Sequence, residues 1–355
     1  MAIANALIHI YFDFMEFFLY LLYIYILISW NFFSTGHADV VKTLMEYDSI
    51  NKEPTDDNGE TPMHIAAQYG QLDVVKLLMD EEYDISRQPR NLYNDTPLHY
   101  AALNGRLEVV EYLMKQRGIE KEPRDQSGQT PLHAAAKNGH LNVVKLLMKI
   151  TDNKEPRDNQ QNTPLHEAVQ IHGDKAETIV KFMLTQKIDY DAKNADGRTP
   201  LHFASLYGNL PVVKKLMKKV QDKEPKDVNG TTPFHNAAAN GHEEIVKFFM
   251  NYRGIMNEPR DRFGNTPLHH AVLSEDIHLI DYLMNFEGTT IESDTDKEPL
   301  NAKGETPLQF ARRHKKWQSV RYLLTEFSFQ VRRILQKKTH KKCMKNSENI
   351  QFFYI

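Results

Sequence analysis

The sequence has little cysteine, no strong excess of one charge and no recognisable catalytic motif. Its 355 residues include one cysteine, Cys343, which excludes a disulfide framework and fits a reducing compartment. Lys and Arg number 44 against 47 Asp and Glu, and the net charge of -3 argues against a chain built wholly to bind nucleic acid. Walker, G-x-S-x-G, H-E-x-x-H and C-x-x-C motifs are absent, so we predict no enzymatic activity, cofactor or metal.

One four-residue string recurs along the chain at a nearly constant interval. Thr-Pro-apolar-His occurs seven times and Thr-Pro-Leu-Gln once, and successive copies begin 33 to 40 residues apart. The threonines that begin these strings are Thr61, Thr96, Thr130, Thr163, Thr199, Thr232, Thr266 and Thr306. A fixed period of this kind indicates a repeat architecture, in which each unit is stable only when it stacks on its neighbours.

Each repeat carries the start and stop signals of two short helices. In the third repeat, Thr130 is a good N-cap and Pro131 suits the first helical position, where its missing N–H has no intrahelical partner. Gly139 is placed to end this helix in a left-handed conformation. The next stretch, residues 141–148, has its apolar side chains on one helical face.

The period and these strings resemble the ankyrin repeat, whose pattern is Gly-x-Thr-Pro-Leu-His-x-Ala-Ala followed by a second helix. The resemblance covers residues 36 to about 327, where residues 36–45 look like the second half of one further repeat. It implies an all-α repeat protein, an ankyrin-type solenoid of helix-turn-helix units with β-hairpin fingers. The chain departs from the pattern at Gln309, where histidine is expected, and at Gln161, Glu275 and Lys315, where glycine is expected.

The regular spacing assigns most of the prominent histidines to structure. Seven of them hold the fourth place of the motif: His64, His99, His133, His166, His202, His235 and His269. A histidine near a helix N-terminus can donate to the adjacent turn, whereas a metal site needs ligands that converge on one point. We therefore interpret these histidines and the motif threonines as structural.

Charged segments containing proline lie between the repeats, as in KEPRD at residues 121–125 and 154–158. Seven of the eight segments have an acidic residue at one place, and six have a basic residue two places later. The basic residues that we consider as partner contacts are Arg90, Arg124, Arg157, Lys226 and Arg260. Two interpretations stay open: a solvated, self-neutralising face, or a surface whose arginines recognise carboxylate or phosphate.

If the binding mode of the family holds, partners contact the finger tips and the exposed, concave face of the first helices. The side chains that we assign to that face are Tyr69, Tyr100, Leu103, Phe203, Leu206 and Tyr207. Aromatic residues concentrate binding energy, but packing between neighbouring repeats explains Tyr100 and Phe203 equally well.

The resemblance therefore implies a non-enzymatic scaffold or adaptor with one or more protein partners and no small-molecule substrate. The alternative is the cytosolic regulatory arm, or a fragment, of a membrane-anchored ankyrin-bearing protein such as a channel. Two irregularities are candidate binding loops: extra residues within 170–178, and an acidic insertion at residues 288–296.

The N-terminal segment, residues 1–35, has a different composition from the array, residues 36–327. Residues 17–33 contain no charge and reach the lower limit of length for a transmembrane helix. Three interpretations are open: a membrane anchor with the array on the cytoplasmic side, an apolar cap on the first repeat, or a non-coding stretch translated in place of an exon.

The C-terminal end is basic. Residues 312–345 contain twelve Lys or Arg and one acid, a local charge of +11, which leaves -14 on the rest of the chain. For the tail, residues 328–355, we consider solvated disorder, nuclear import and contact with anionic lipid. The predicted location of the array is cytoplasmic, and anchoring by the N-terminal segment is an open alternative to a free array. A nuclear location is the lesser alternative.

The anchor interpretation makes a direct prediction. A helix formed by residues 17–33 would keep the full-length chain in the membrane pellet after washing with alkaline carbonate, because spanning helices resist extraction. Release of the full-length chain into the supernatant would remove this interpretation.

Overall fold

The computed structural model describes residues 30–46, 51–285 and 299–326. All of the regular elements in these residues are helical, which confirms the predicted all-α repeat fold. The chain divides into two compact units, Met1–Ala195 and Asp196–Ile355. We number the repeats 1 to 8 by their motif threonines, so that repeats 1 to 4 lie in the first unit and repeats 5 to 8 in the second.

In the first unit, the helices of neighbouring repeats pack first helix on first helix and second helix on second helix. The first helices of repeats 1 to 4 are Pro62–Tyr69, Pro97–Leu103, Pro131–Lys137 and Pro164–Ala168. The second helices are Leu72–Leu78, Leu107–Lys115, Leu141–Ile150 and Asp174–Met183, and they follow an earlier helix at Ala38–Met45. A short 3-10 helix, Glu81–Tyr83, follows the second helix of repeat 1.

The second unit repeats this arrangement. Its first helices are Pro200–Leu206, Pro233–Ala239, Pro267–Ser274 and Pro307–Arg313. Its second helices are Leu210–Leu216, Glu243–Met250, Ile277–Asn285 and residues 317–326.

Small and flexible side chains form the core between repeats. Ala101 and Ala102 of repeat 2 are fully buried, which lets adjacent first helices approach closely. The second helices bury an apolar face, for which Val109, Val110 and Leu113 are examples. Methionines occupy the same position at the end of most second helices and are buried between repeats: Met45, Met79, Met114, Met148, Met217 and Met250.

Residues 30–35 form a helical segment that takes the place of a first helix before repeat 1. Gly36 ends it with a φ of +84°, and Phe33 is buried. Gln71 Nε2 donates to the carbonyl of Ser34 at 2.6 Å, just as Arg106 Nε donates to that of Gln68 at 2.8 Å in the next repeat. This segment therefore precedes the helix Ala38–Met45 as a first helix precedes a second, and the three interpretations of residues 1–35 stay predictions.

The remainder of the proposed anchor, residues 17–29, lies outside the described residues. Within the parts of the chain that the structure describes, we find no helix with the length and apolarity needed to cross a membrane.

The segments between repeats are tight turns rather than the β-hairpins that the resemblance implies, since the described residues contain no strand. In the turn before repeat 3, Asp125 accepts from the amide of Gln129 through its side chain and bonds the same residue through its backbone. A backbone hydrogen bond of 2.8 Å from Gln126 to Tyr93 joins this turn to the preceding one. The side-chain bonds replace the longer ladder that paired strands require.

Repeat 4 accommodates its extra residues by shortening its first helix, which ends at Ala168. Its second helix begins at Asp174, after Gly173 with a φ of +82°. The acidic insertion, residues 288–296, lies outside the described residues.

Three residues that replace the expected glycines adopt the glycine conformation. Gln161, Glu275 and Lys315 have φ values of 62°, 61° and 58°. A left-handed backbone costs a residue with a Cβ roughly 1–2 kcal/mol. The turn geometry is therefore kept at these positions against the local preference of the residue.

We expect Gln161→Gly to raise the free energy of unfolding by up to about 1 kcal/mol, because glycine relieves this conformational cost. Urea unfolding of the full chain measures the change. Gln160→Gly is the matched control at the neighbouring exposed residue, which has no positive φ, and it should be neutral or destabilising. Equal effects of the two changes would contradict this interpretation.

Candidate partner-binding surface

Every first helix in repeats 1 to 7 begins with the same bonded pair of threonine and histidine. In repeat 2, the amide of Thr96 donates to His99 Nδ1 at 3.1 Å, and Thr96 Oγ1 lies 3.0 Å from the same nitrogen. Pro97 follows as the first helical residue. The pair closes the N-terminus of the helix, which otherwise leaves amides without partners.

Within each unit, the other nitrogen of the ring bonds to the next repeat. His99 Nε2 lies 3.1 Å from the carbonyl oxygen of Gln129, the residue before the next motif threonine. The same contact is made within the units by His64, His133, His202, His235 and His269, at 3.0 to 3.1 Å. Because Nδ1 accepts an amide proton, Nε2 carries the ring proton and donates it, which fixes a neutral imidazole.

Burial disfavours the charged form of these rings. It lowers the pKa of His99 and of His235 from 6.5 to about 4. It also lowers the pKa of His64, His133 and His269.

Four of the five basic residues that the sequence offers as partner contacts join neighbouring turns. Arg124 Nη1 donates to the carbonyl of Gly128 in its own turn at 2.8 Å and to that of Arg157 in the next turn at 2.5 Å. Equivalent pairs of bonds are made by Arg90, Arg157 and Arg260. The sequence left open a solvated, self-neutralising face or a recognition surface, and neither includes this role in connecting turns. Lys226, at the same place in repeat 6, is exposed.

The acidic residues of the turns also bond to the following repeat. Glu155 Oε1 accepts from the backbone amide of Asp189 at 2.8 Å. Glu53, Glu122 and Glu224 accept in the same way from Ser86, Asn153 and Met256. Many charged side chains of the turns therefore form hydrogen bonds between neighbouring repeats.

Comparison with known families agrees with this geometry. A family model described as ankyrin repeats (3 copies) matches residues 32–125, 117–194, 171–258, 208–294 and 253–333. The chain belongs to the ankyrin repeat family. Ankyrin repeats are generally protein-interaction modules.

An ankyrin repeat protein of fowlpox virus (strain NVSL) is 37% identical to this chain over 49 residues. The match covers 14% of this chain and 34% of the viral protein, so the chain spans about a third of the length of the curated relative it matches.

The first helices of ankyrin repeats 1 and 2 leave two large apolar side chains in solvent. Tyr69 is 49% exposed and Leu103 is 41% exposed, each at the end of its helix. These two helices pack against each other. Both residues are among those that the sequence assigns to the binding face.

Tyr100 is half-buried, and its hydroxyl is engaged within the array. It donates to Glu60 Oε1 at 2.5 Å and accepts from Asn91 Nδ2 at 3.1 Å. Its ring contacts that of His64 edge to face, with 5.3 Å between centroids. Burial and the bond to Glu60 raise the pKa of Tyr100. Packing between repeats therefore accounts for this side chain.

In repeat 5, Leu206 and Tyr207 hold the places of Leu103 and Tyr69 but are less exposed than they are. Phe203, Leu206 and Tyr207 are all half-buried. The rings of Phe203 and Tyr207 stack with 6.5 Å between centroids. The carbonyl of Leu206 accepts from His242 Nε2 at 2.8 Å.

Sequence reasoning missed exposed apolar side chains at the tips of the turns. Leu92 and Tyr93 of repeat 2 are 70% and 54% exposed. Val228, Phe263 and Leu300 are exposed in the turns of the second unit. The signal was available, because most other repeats carry polar residues at the places of Leu92 and Tyr93.

Among residues 30–46, 51–285 and 299–326, no three His, Cys, Asp or Glu side chains are grouped so that they could hold a metal ion. Within each unit, the motif histidines form a series in which the ring of one repeat bonds to a carbonyl of the next.

The histidine series predicts a loss of stability in mild acid. Their lowered folded-state pKa values mean that the neutral form stabilises the fold above about pH 6.5, and that this stabilisation is lost as pH falls toward about 4. Each unit of pKa difference corresponds to about 1.4 kcal/mol. Urea unfolding at several pH values measures the slope.

His99→Gln should make this slope shallower, because Gln309 shows that glutamine can accept the threonine amide, at 2.9 Å, and glutamine does not titrate. It should also lower stability at pH 7.5 by about 0.5–1.5 kcal/mol through loss of the bond to Gln129. His172→Gln, at an exposed position, is the control. A slope unchanged by His99→Gln would show that other groups cause the acid sensitivity.

Proposed function

We propose that this chain is a non-enzymatic scaffold or adaptor whose protein partner docks on repeats 1 and 2. The observation that carries the proposal is the exposure of Tyr69 and Leu103 at the ends of two packed first helices. Both side chains extend from helices that the capping pairs and the inter-repeat bonds hold in place. A docking surface of this kind is already ordered before the partner arrives.

Apolar contact supplies most of the affinity in this proposal. Removing apolar surface from water contributes roughly 25 cal/mol per Å², and tyrosine adds a hydroxyl that can bond across an interface. Leu92 and Tyr93, at the turn tip of repeat 2, give the same partner a second contact. The turn arginines contribute less, since Nη1 of Arg90 already bonds two carbonyls.

A second candidate is the cytosolic regulatory arm, or a fragment, of a membrane-anchored ankyrin-bearing protein such as a channel. The feature in its favour is the uncharged stretch of residues 17–33. In both candidates we place the array on the cytoplasmic side.

We expect the double change Tyr69→Ala and Leu103→Ala to reduce capture of a specific protein partner at least tenfold, because each truncated anchor removes one or more kcal/mol of binding free energy. The measurement is quantitative mass spectrometry of proteins captured by the full-length chain. The unfolding curve should change little, since both side chains are exposed.

Ile150→Ala is the matched control, because Ile150 is 40% exposed at the end of a second helix rather than a first. It should leave capture of the same protein unchanged. Undiminished capture by the double variant would place the docking surface elsewhere, and an equal loss with Ile150→Ala would indicate nonspecific adhesion.

A further inference from the structure

The last described repeat carries exposed cations that its neighbours do not neutralise. Arg312, Lys315 and Arg321 are exposed, and within the described residues none of them has an ion pair. Two adjacent cations differ: Arg313 pairs with Glu305 at 2.9 Å, and Lys316 with Glu275 at 3.4 Å. The structure thus separates the cations that stabilise the repeat from three that face solvent.

An exposed tryptophan lies among these three cations. Trp317, at the start of the second helix, is 63% exposed. In repeats 1 to 3 the same place holds Leu72, Leu107 and Leu141, which are half-buried. A large indole in solvent at this place has no packing role in the repeat.

The outward face of the same helix continues the pattern. Arg321 and Leu324 lie four and seven residues after Trp317, on the same side, and both are exposed. Val320, three residues after Trp317 on the same flank, is buried, and so is Leu323. Trp317 and Leu324 therefore leave apolar surface exposed at the edge of this face, beside the cation of Arg321.

The sequence around and after this helix is also positively charged. Residues 312–345 carry a charge of +11, whereas the rest of the chain carries -14. Juxtamembrane cations gain about 1 kcal/mol each near an anionic leaflet, and tryptophan prefers the depth of the lipid headgroups.

We propose that the last repeat docks on an anionic phospholipid surface, with Trp317 at the depth of the headgroups and Arg312, Lys315 and Arg321 beside the phosphates. The proposal is independent of the protein-binding function of repeats 1 and 2. It is also independent of the uncharged stretch of residues 17–33, which would act on neutral and anionic lipid alike.

A nucleic acid also presents phosphates, but it fits this face less well. The exposed side chains include Leu324 as well as Trp317, and a leucine gains from hydrocarbon but has little to bond in a sugar-phosphate backbone. The apolar pair therefore favours lipid, and binding to duplex DNA is an outcome that the experiment separates.

The test uses the full-length chain and vesicles of phosphatidylcholine with or without 30% phosphatidylserine. Trp30→Phe leaves Trp317 as the remaining tryptophan, so its fluorescence reports the last repeat alone. We expect a blue shift of Trp317 emission on the anionic vesicles, weakened by salt. The triple change of Arg312, Lys315 and Arg321 to Gln should lower the partition coefficient at least tenfold, and Trp317→Ala several-fold.

A control variant with equal loss of charge changes Lys181, Lys218 and Lys219 to Gln, because these lysines are exposed in other repeats. It should lower partitioning less than twofold. An unshifted Trp317 emission, equal losses in the two triple variants, or tighter binding to a 20-base-pair DNA duplex than to the vesicles would each overturn the proposal. Melting curves check that every variant is folded.

Discussion

Within each of the two units, each repeat is bonded to the next through one neutral imidazole. Its Nδ1 closes the start of its own helix, and its Nε2 bonds to the turn of the following repeat, as in His99. The helices depend strongly on these contacts between repeats, because most of them have seven to ten residues. An isolated helix becomes marginally stable only at about 12 to 15 residues. A ring whose Nδ1 accepts an amide proton while its Nε2 donates must be neutral, so the chemistry of one side chain couples the fold to pH.

The same logic explains why the turns look like a binding surface in sequence. Arg124 bonds to carbonyls of two successive turns, and Glu155 accepts an amide of the next repeat. Such groups recur in several repeats because the contact between repeats recurs. Recognition is therefore expected where a repeat differs from the others, as at Leu92 and Tyr93.

The sequence predicts local features of this protein better than its distant contacts. Thr130, Pro131 and Gly139 act within a few residues of themselves, so their types alone define where the first helix starts and stops. The partner of Arg124 is a carbonyl 33 residues away, and its position depends on how two turns stack. For residues 30–35 the sequence left three interpretations open, because this segment lacks the Thr-Pro-Leu-His string that marks the other first helices.

At positions where the repeat pattern expects glycine, the fold overrides the local preference of the residue. Gln161 disfavours a positive φ, and sequence alone left the geometry of its turn open. The structure keeps that φ because the amides of Gln160 and Asn162 both bond to Asp158 Oδ1, which fixes the turn around it. Tertiary and side-chain bonds here outweigh the preference of a single residue.

Repeat 8 separates the two tasks that histidine performs elsewhere. Gln309 Oε1 accepts the amide of Thr306 at 2.9 Å, and Thr306 Oγ1 accepts the amide of Gln309 at 3.3 Å, so the capping function is complete without an imidazole. Within the described residues, no later turn offers a carbonyl to this side chain, and the bond between repeats has no counterpart. An amide is sufficient where only the helix start is closed, whereas histidine is found where a bond to the next repeat is also made. The array therefore keeps its local chemistry to the last described repeat and changes only the chemistry that faces outward, which is where Trp317 and its unpaired cations lie.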